Sequence, residues 1–194
     1  MKYDLGLIPM SAKPFHNGHY YLVQKAAAEC HIVKLFIGTG NRTKGNGKAI
    51  TGDQMLHLWK EIYEPFMPAS DNIQFVYEGV PVRNVYETLD HIKEENLETE
   101  VAVYSGNEIE KNGKSLIWNR YHKLINDSYW KDTLTFVSVK RGEEGSPNVS
   151  GTQMRKDLLN RNKESFFKGL PTYLEDKQKQ YIFDYLAKQF FKIF

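Results

Sequence analysis

The sequence predicts an α/β chain: a doubly wound parallel sheet of about five strands with a helical C-terminal segment. Two observations carry the prediction. Short apolar runs alternate with longer stretches of helical periodicity, the pattern of βαβ units. The residues suited to bind a ligand fall just after the apolar runs. In a doubly wound sheet that places them together at the carboxyl edge of the strands, where such folds bind ligands.

Tyr3–Pro9 reads as a first buried strand, and His19–Cys30 as a helix with Tyr20, Leu22, Val23, Ala26 and Ala27 at helical spacing. Ile32–Gly40 is a second strand running into glycines, and Gly40–Gly52 is a polar loop. Met55, Leu58, Trp59 and Ile62 mark a helix expected to end before Pro65. Ile73–Tyr77 is a third strand. Val82, Val85, Tyr86, Leu89 and Ile92 form the next helical stripe. Val101–Tyr104 is a fourth strand, Leu116–Ile125 a helix and Leu134–Val139 a fifth strand. From Ser150 to Phe194 the chain reads as helical, with a break around "GLPT". Residues 1–150 are thus expected to form the core, with 151–194 packed on it.

At 194 residues and 41% hydrophobic content the chain suits one domain with a proper core. A net charge of +2 argues against a dedicated nucleic-acid binder but leaves room for a small anionic ligand. The single cysteine, Cys30, makes no internal disulfide. The N-terminal stretch does not read as a signal peptide, and no apolar run approaches the ~20 residues of a membrane span. A cytoplasmic protein is expected. The stretch Tyr181–Phe194 is apolar on one face and serves either packing or a subunit interface, so a homo-oligomer stays open.

"KPFHNGH" carries the chemistry. His16 and His19 stand three residues apart where the first strand meets a helix, so both can face one bound group. Gly18 between them permits a close approach to the backbone. The helix N-terminus adds amide donors and a dipole that favour phosphate oxygens. Taken singly, each histidine reads as a cap or a surface residue. Metal chelation is disfavoured, because "HNGH" is not H-E-x-x-H and has no carboxylate beside it. A P-loop is excluded: Gly47–Lys48 has Arg42 where the first glycine belongs, and Ala49 follows. The dinucleotide fingerprint fails at Thr43.

"VSGTQMRKDLL" reads as a second anion site. Ser150 and Gln153 have capping-box spacing, Gly151 and Thr152 leave amides open, and Arg155 lies one turn in. A plain capped helix fits the same residues. Two helix N-termini facing one crevice suit a triphosphate.

In these motifs the chain resembles the H-x-G-H nucleotidyltransferases, a Rossmann-like superfamily, and within it the archaeal-type nicotinamide mononucleotide (NMN) adenylyltransferases. "KPFHNGHYYLV", "LFIGTGNR", "VYSGNE" and "VSGTQMRKDLLNRNKESFFKGLP" carry the resemblance. It implies transfer of AMP from ATP to NMN, giving NAD and pyrophosphate, with Mg²⁺ arriving on ATP and no protein metal cage. It implies catalytic roles for Lys13, His16, His19 and Arg155. It implies nucleotide contacts from Met10, Ser11, Gly18, Gly38, Thr39, Ser105, Gly106, Asn107, Ser150, Gly151 and Thr152. Arg42, Tyr86 and Trp118 are the candidates for the acceptor. Two departures stand out, since the family usually has arginine where Ser11 and Gln54 stand. Lys13, Arg42, Lys44 and Lys48 are the candidate replacements. The alternatives are the same chemistry on phosphopantetheine, or with CTP on glycerol or choline phosphate, or a nucleotide-binding protein without turnover.

Overall fold

The computed structural model of the chain describes residues 1–41, 50–68, 71–79, 85–106, 113, 116–142 and 145–190, with backbone only for 116–118 and 189–190. Five strands form one sheet: β1 (Tyr3–Met10), β2 (Cys30–Gly38), β3 (Ile73–Glu78), β4 (Val101–Gly106) and β5 (Leu134–Val139). The order is β3-β2-β1-β4-β5, and every pairing is parallel. The chain first winds outward from β1 to β3 and then returns to the other side of β1. The order therefore reverses between β1 and β4, which makes their carboxyl ends the natural binding crevice.

Alternate side chains of the strands enter two separate cores. Ile8, Met10, Val33, Leu35, Ile37, Ala102 and Tyr104 pack on one face. Leu7, Phe36, Val101 and Val103 pack on the other. Helices cover both faces, as strands that are apolar on both sides require. The first face receives α1 (Asn17–Glu29) and α2 (Gly52–Leu58). It also receives α6 (Gly151–Leu159), α7 (Lys163–Gly169) and α8 (Asp176–Phe190). The second receives α4 (Tyr86–Glu94) and α5 (Leu116–Ile125) through Leu89, Ile92, Tyr121 and Leu124. Ile182, Phe183 and Leu186 of α8 are buried in the first core, with α8 packed against α6 and α7, so the described part of the apolar C-terminal stretch packs on the domain. No helix among the described residues is long and apolar enough to cross a membrane.

Several boundaries differ from expectation. Helix α2 does not stop before Pro65. It runs through a π-helical turn (Trp59–Tyr63) into a last turn, α3 (Glu64–Phe66). Proline has no N–H and its ring crowds the carbonyl four residues back, and a widened turn just before it relieves both problems. Cys30 opens β2 rather than closing α1, with its N–H on Ala26 O. Its Sγ packs so closely that a Cβ on Gly6 would stand 2.8 Å from it. The C-terminal helices are broken twice. One break surrounds Pro171; the other lies at 160–162, where Asn162 caps α7 by accepting from Ser165 N–H. Val82 lies outside the described residues.

Candidate active site

The site begins where β1 ends. Ala12 is buried and turns the chain with φ 42°, the left-handed region that is strained for any residue with a Cβ. The turn is tied from two sides. Lys13 is buried and its Nζ donates to Gly40 O in the loop after β2. Its carbonyl accepts from the Arg155 guanidinium at 2.7 Å.

His16 is the N-cap of α1, and the cap is reciprocal. His16 Nδ1 accepts from His19 N–H at 3.3 Å, while His19 Nδ1 accepts from His16 N–H at 3.4 Å. This is a capping box made of two imidazoles in place of the usual hydroxyl and carboxamide. The rings stack with centroids 3.7 Å apart and planes 22° from parallel. A nitrogen that accepts carries no proton, so each ring is the neutral tautomer with its proton on Nε2. His16 is held in that state. Burial, with the positive charges of Arg141 and Arg155 nearby, lowers its pKa from 6.5 to about 3. The histidines are therefore N–H donors rather than imidazolium cations or ready bases. Gly18 explains the spacing: a Cβ there would stand 3.1 Å from His16 Cε1 and push the cap.

Two cavities meet at this pair. One, about 180 Å³, lies at the carboxyl ends of β1 and β4. Met10, Gly18, Tyr104, Ser105 and Gly106 line it, joined by Arg120 from α5 and Ser146 from the loop after β5. The other, about 580 Å³, lies between the β1–α1 turn and the start of α6. Lys13, Ser150, Gly151, Thr152 and Arg155 line it. Among the described residues four line both: Ser11, His16, His19 and Arg141. Among the described residues the second cavity is lined by the cations Lys13, Arg141 and Arg155 and by no carboxylate. Such a cavity favours a multiply charged anion.

Helix α6 supplies the far wall. Ser150 caps it by accepting from Gln153 N–H at 3.1 Å. The expected box is only half made, because the Gln153 side chain donates to Asp157 Oδ1 instead. Buried Asp157 also accepts from Ser165 Oγ and so joins α6 to α7. Arg155 Nη2 donates to Thr152 Oγ1 at 3.1 Å, which holds the guanidinium over the helix start.

Most of the predicted site residues converge, but not all. Gly38 and Thr39 line neither cavity. Thr39 donates from N and Oγ1 to Glu78 O and closes the end of the β2–β3 pair. Tyr86 also lines neither cavity. Its hydroxyl donates to Arg120 O at 2.5 Å and its ring packs near Tyr121 at the second core. Gln54 is buried and caps α2 reciprocally with Thr51, leaving its Nε2 without a partner. Arg42, Lys44, Lys48 and Asn107 fall outside the described residues, as does the Trp118 side chain. Arg120, Arg141 and Ser146 were not anticipated from the sequence. Arg141 could have been found from its position, two residues past the carboxyl end of β5 in "VKRGEEG". Among the described residues no cluster of three or more His, Cys, Asp or Glu side chains is placed to hold a metal ion.

The chain shares its fold with mononucleotide adenylyltransferases. The Plasmodium falciparum nicotinic acid mononucleotide adenylyltransferase complexed with APC superposes with a TM-score of 0.63 at 14% identity, covering 97% of this chain and 98% of that one. The same enzyme complexed with NaAD gives 0.62 at 15% identity, with 97% and 98% covered. A bifunctional NMN adenylyltransferase/ADP ribose pyrophosphatase from Francisella tularensis, complexed with AMP and a manganese ion, gives 0.56 at 12% identity. There 97% of this chain covers 52% of that one. A narrower similarity lies at the N-terminus. Residues 5–49 match the citrate lyase ligase C-terminal domain. The [citrate [pro-3S]-lyase] ligase of Escherichia coli (strain K12) is 54% identical over 33 residues, 17% of this chain and 9% of that protein. The chain therefore spans a small part of that relative and about half of the bifunctional enzyme.

Proposed function

We propose that the protein is a nucleotidyltransferase that moves AMP from MgATP to NMN, releasing pyrophosphate. One observation carries the reading. Two neutral imidazoles, locked by their own capping box, stand where a nucleoside-sized crevice meets a cationic cavity at the start of a second helix. In this reading the adenosine occupies the crevice beside Ser105 and Gly106, and the β- and γ-phosphates occupy the cavity at Ser150, Gly151, Thr152 and Arg155. The α-phosphate then lies at the junction, within reach of His16 and His19. An acceptor phosphate attacks the α-phosphorus in line and pyrophosphate leaves, with no covalent enzyme intermediate. Catalysis is then positioning and stabilisation of charge on the transferred group by fixed donors. Magnesium enters with the triphosphate as part of the substrate. Lys13 ties the turn to the loop after β2, on the side left for the acceptor.

The NMN assignment rests on the likeness of "PFHNGH", "SGTQMR" and "SGNE" to that branch and on the fold shared with mononucleotide adenylyltransferases. The match of residues 5–49 to the citrate lyase ligase domain favours a second reading, the same transfer onto a different acceptor. Purified protein incubated with MgATP or MgCTP and each of NMN, nicotinate mononucleotide, phosphopantetheine and glycerol 3-phosphate separates them. NAD formation with the highest kcat/KM supports the first. Pyrophosphate release with another acceptor and no NAD supports the second, and nucleotide binding with no release on any acceptor overturns both.

A further inference from the structure

Among the described residues the two cavities share four, and one of those carries a formal charge. Both histidines accept at Nδ1 and are neutral, and the Ser11 hydroxyl is a neutral group whose buried Oγ has no hydrogen-bond partner. Arg155 lines only the larger cavity, where it is held by Lys13 O and Thr152. Lys13 likewise reaches only that cavity, with its amine on Gly40 O. Among the described residues Arg141 is the remaining cation at the junction. It stands at the carboxyl edge of β5 on an exposed turn that is closed by Gly142 N–H on Ser146 O, with Gly142 at φ 72°. Its charge is also felt at the His16 ring, which places the guanidinium near the histidine pair.

We infer that Arg141 binds the α-phosphoryl group of the nucleotide and is the protein's main positive charge on the group being transferred. The inference rests on the proposed placement of a nucleotide across the two cavities. A phosphoryl group under attack spreads negative charge over its non-bridging oxygens. Neutral N–H donors direct hydrogen bonds at that charge, but a guanidinium also offsets it and can do so with two donors at once. Ser11 and Gln54 bring no charge to the site. An arginine arriving from the opposite side of the crevice, off the β5 edge, fills that need without belonging to either helix start.

The test compares Arg141→Ala and Arg141→Lys with wild type and with Arg155→Ala. Calorimetry measures adenosine, AMP and ATP binding, and pyrophosphate release gives kcat and KM. Arg141→Ala is expected to weaken AMP and ATP by the same factor, on the order of tenfold or more, as loss of one charge-assisted contact predicts. Adenosine binding should not change. Turnover should fall ~10²–10³-fold, the usual cost of one transition-state donor. Arg141→Lys should recover part of both, since it restores charge without the planar fork. Arg155→Ala should weaken ATP far more than AMP. The inference is overturned if Arg141→Ala binds AMP as wild type does, or if it weakens ATP alone, which would move Arg141 to the β- and γ-phosphates. An equal loss for adenosine would also overturn it, since that is the signature of a misfolded crevice. Wild-type protein that binds neither AMP nor ATP would instead remove the nucleotide reading itself.

Discussion

Replacing His16 with asparagine should change how stability depends on pH while leaving helix α1 capped. The wild-type ring is buried, and its pKa in the folded chain drops from 6.5 to about 3. The unfolded chain takes up a proton near 6.5, whereas the folded chain refuses it until about 3. Over that window the unfolded state binds more protons, so folding loses stability as pH falls, by about 1.4 kcal/mol per unit. The penalty is absent above 6.5, and two units lower it reaches about 2.7 kcal/mol. Asparagine is a good N-cap and can accept from His19 N–H, so the variant removes the titration and spares the cap. Urea unfolding of both proteins across this range gives the difference directly, because every other group titrates in both. The variant should gain on wild type by about 1.4 kcal/mol for each unit of acidification. A stability difference that stays constant with pH would refute the claim that His16 is held neutral by its surroundings.

Three further outcomes follow from the same geometry. His19→Ala should lower turnover ~10²–10³-fold with ATP binding largely kept, as measured by pyrophosphate release beside calorimetry. Near wild-type turnover would remove its role. Arg155→Ala should raise the KM for ATP with little effect on AMP. It should also lower stability by about 1–3 kcal/mol, because the Lys13 carbonyl and Thr152 hydroxyl both lose their charged donor. Gly52→Ala should be among the most damaging small substitutions in the chain. A Cβ there would sit 1.6 Å from Thr39 O, so α2 must move off the end of β2. A loss at or beyond the ~1–3 kcal/mol of ordinary overpacking is expected in urea unfolding, and unchanged stability would contradict the docking of α2 on Thr39.

The inner strands β1, β2 and β4 were legible because most of their residues are buried and read as apolar runs, while the edge strands β3 and β5 are only partly buried and carry polar residues among the apolar ones. Leu134–Val139 was placed to the residue, and the other four to within two residues at either end. What the sequence hid was partnership. "HNGH" reads as either a helix cap or a ligand site; the structure shows the cap, made through Nδ1 of each ring, which leaves Nε2 outside it. Ser150-x-x-Gln153 has the spacing of a full box, but buried Asp157 competes for the glutamine and wins. Tyr86 has the spacing of a core residue and packs as one. Arg141 was missed because an arginine on a polar turn has no periodicity to mark it. Only the strand order brings that turn opposite His16.

Why two histidines, when serine or asparagine caps a helix as well? A hydroxyl or carboxamide spends its best acceptor on the backbone and has no rigid second face. Imidazole carries an acceptor and a donor on opposite sides of one planar ring. Locking Nδ1 onto the neighbour's N–H fixes the ring, its tautomer and the direction of Nε2–H together, and the stack makes each ring the wall of the other. The cost of that rigidity is space, and Gly18 provides it: a Cβ there would stand 3.1 Å from His16 Cε1. Gly151 makes room for Arg155 instead, since a Cβ there would stand 3.2 Å from its Nη1. Preorganised neutral donors need no proton loss or gain to work, so on this reading the His16 ring keeps its role in the chemical step until it protonates, near 3. The fold's own loss of stability from this group begins below 6.5.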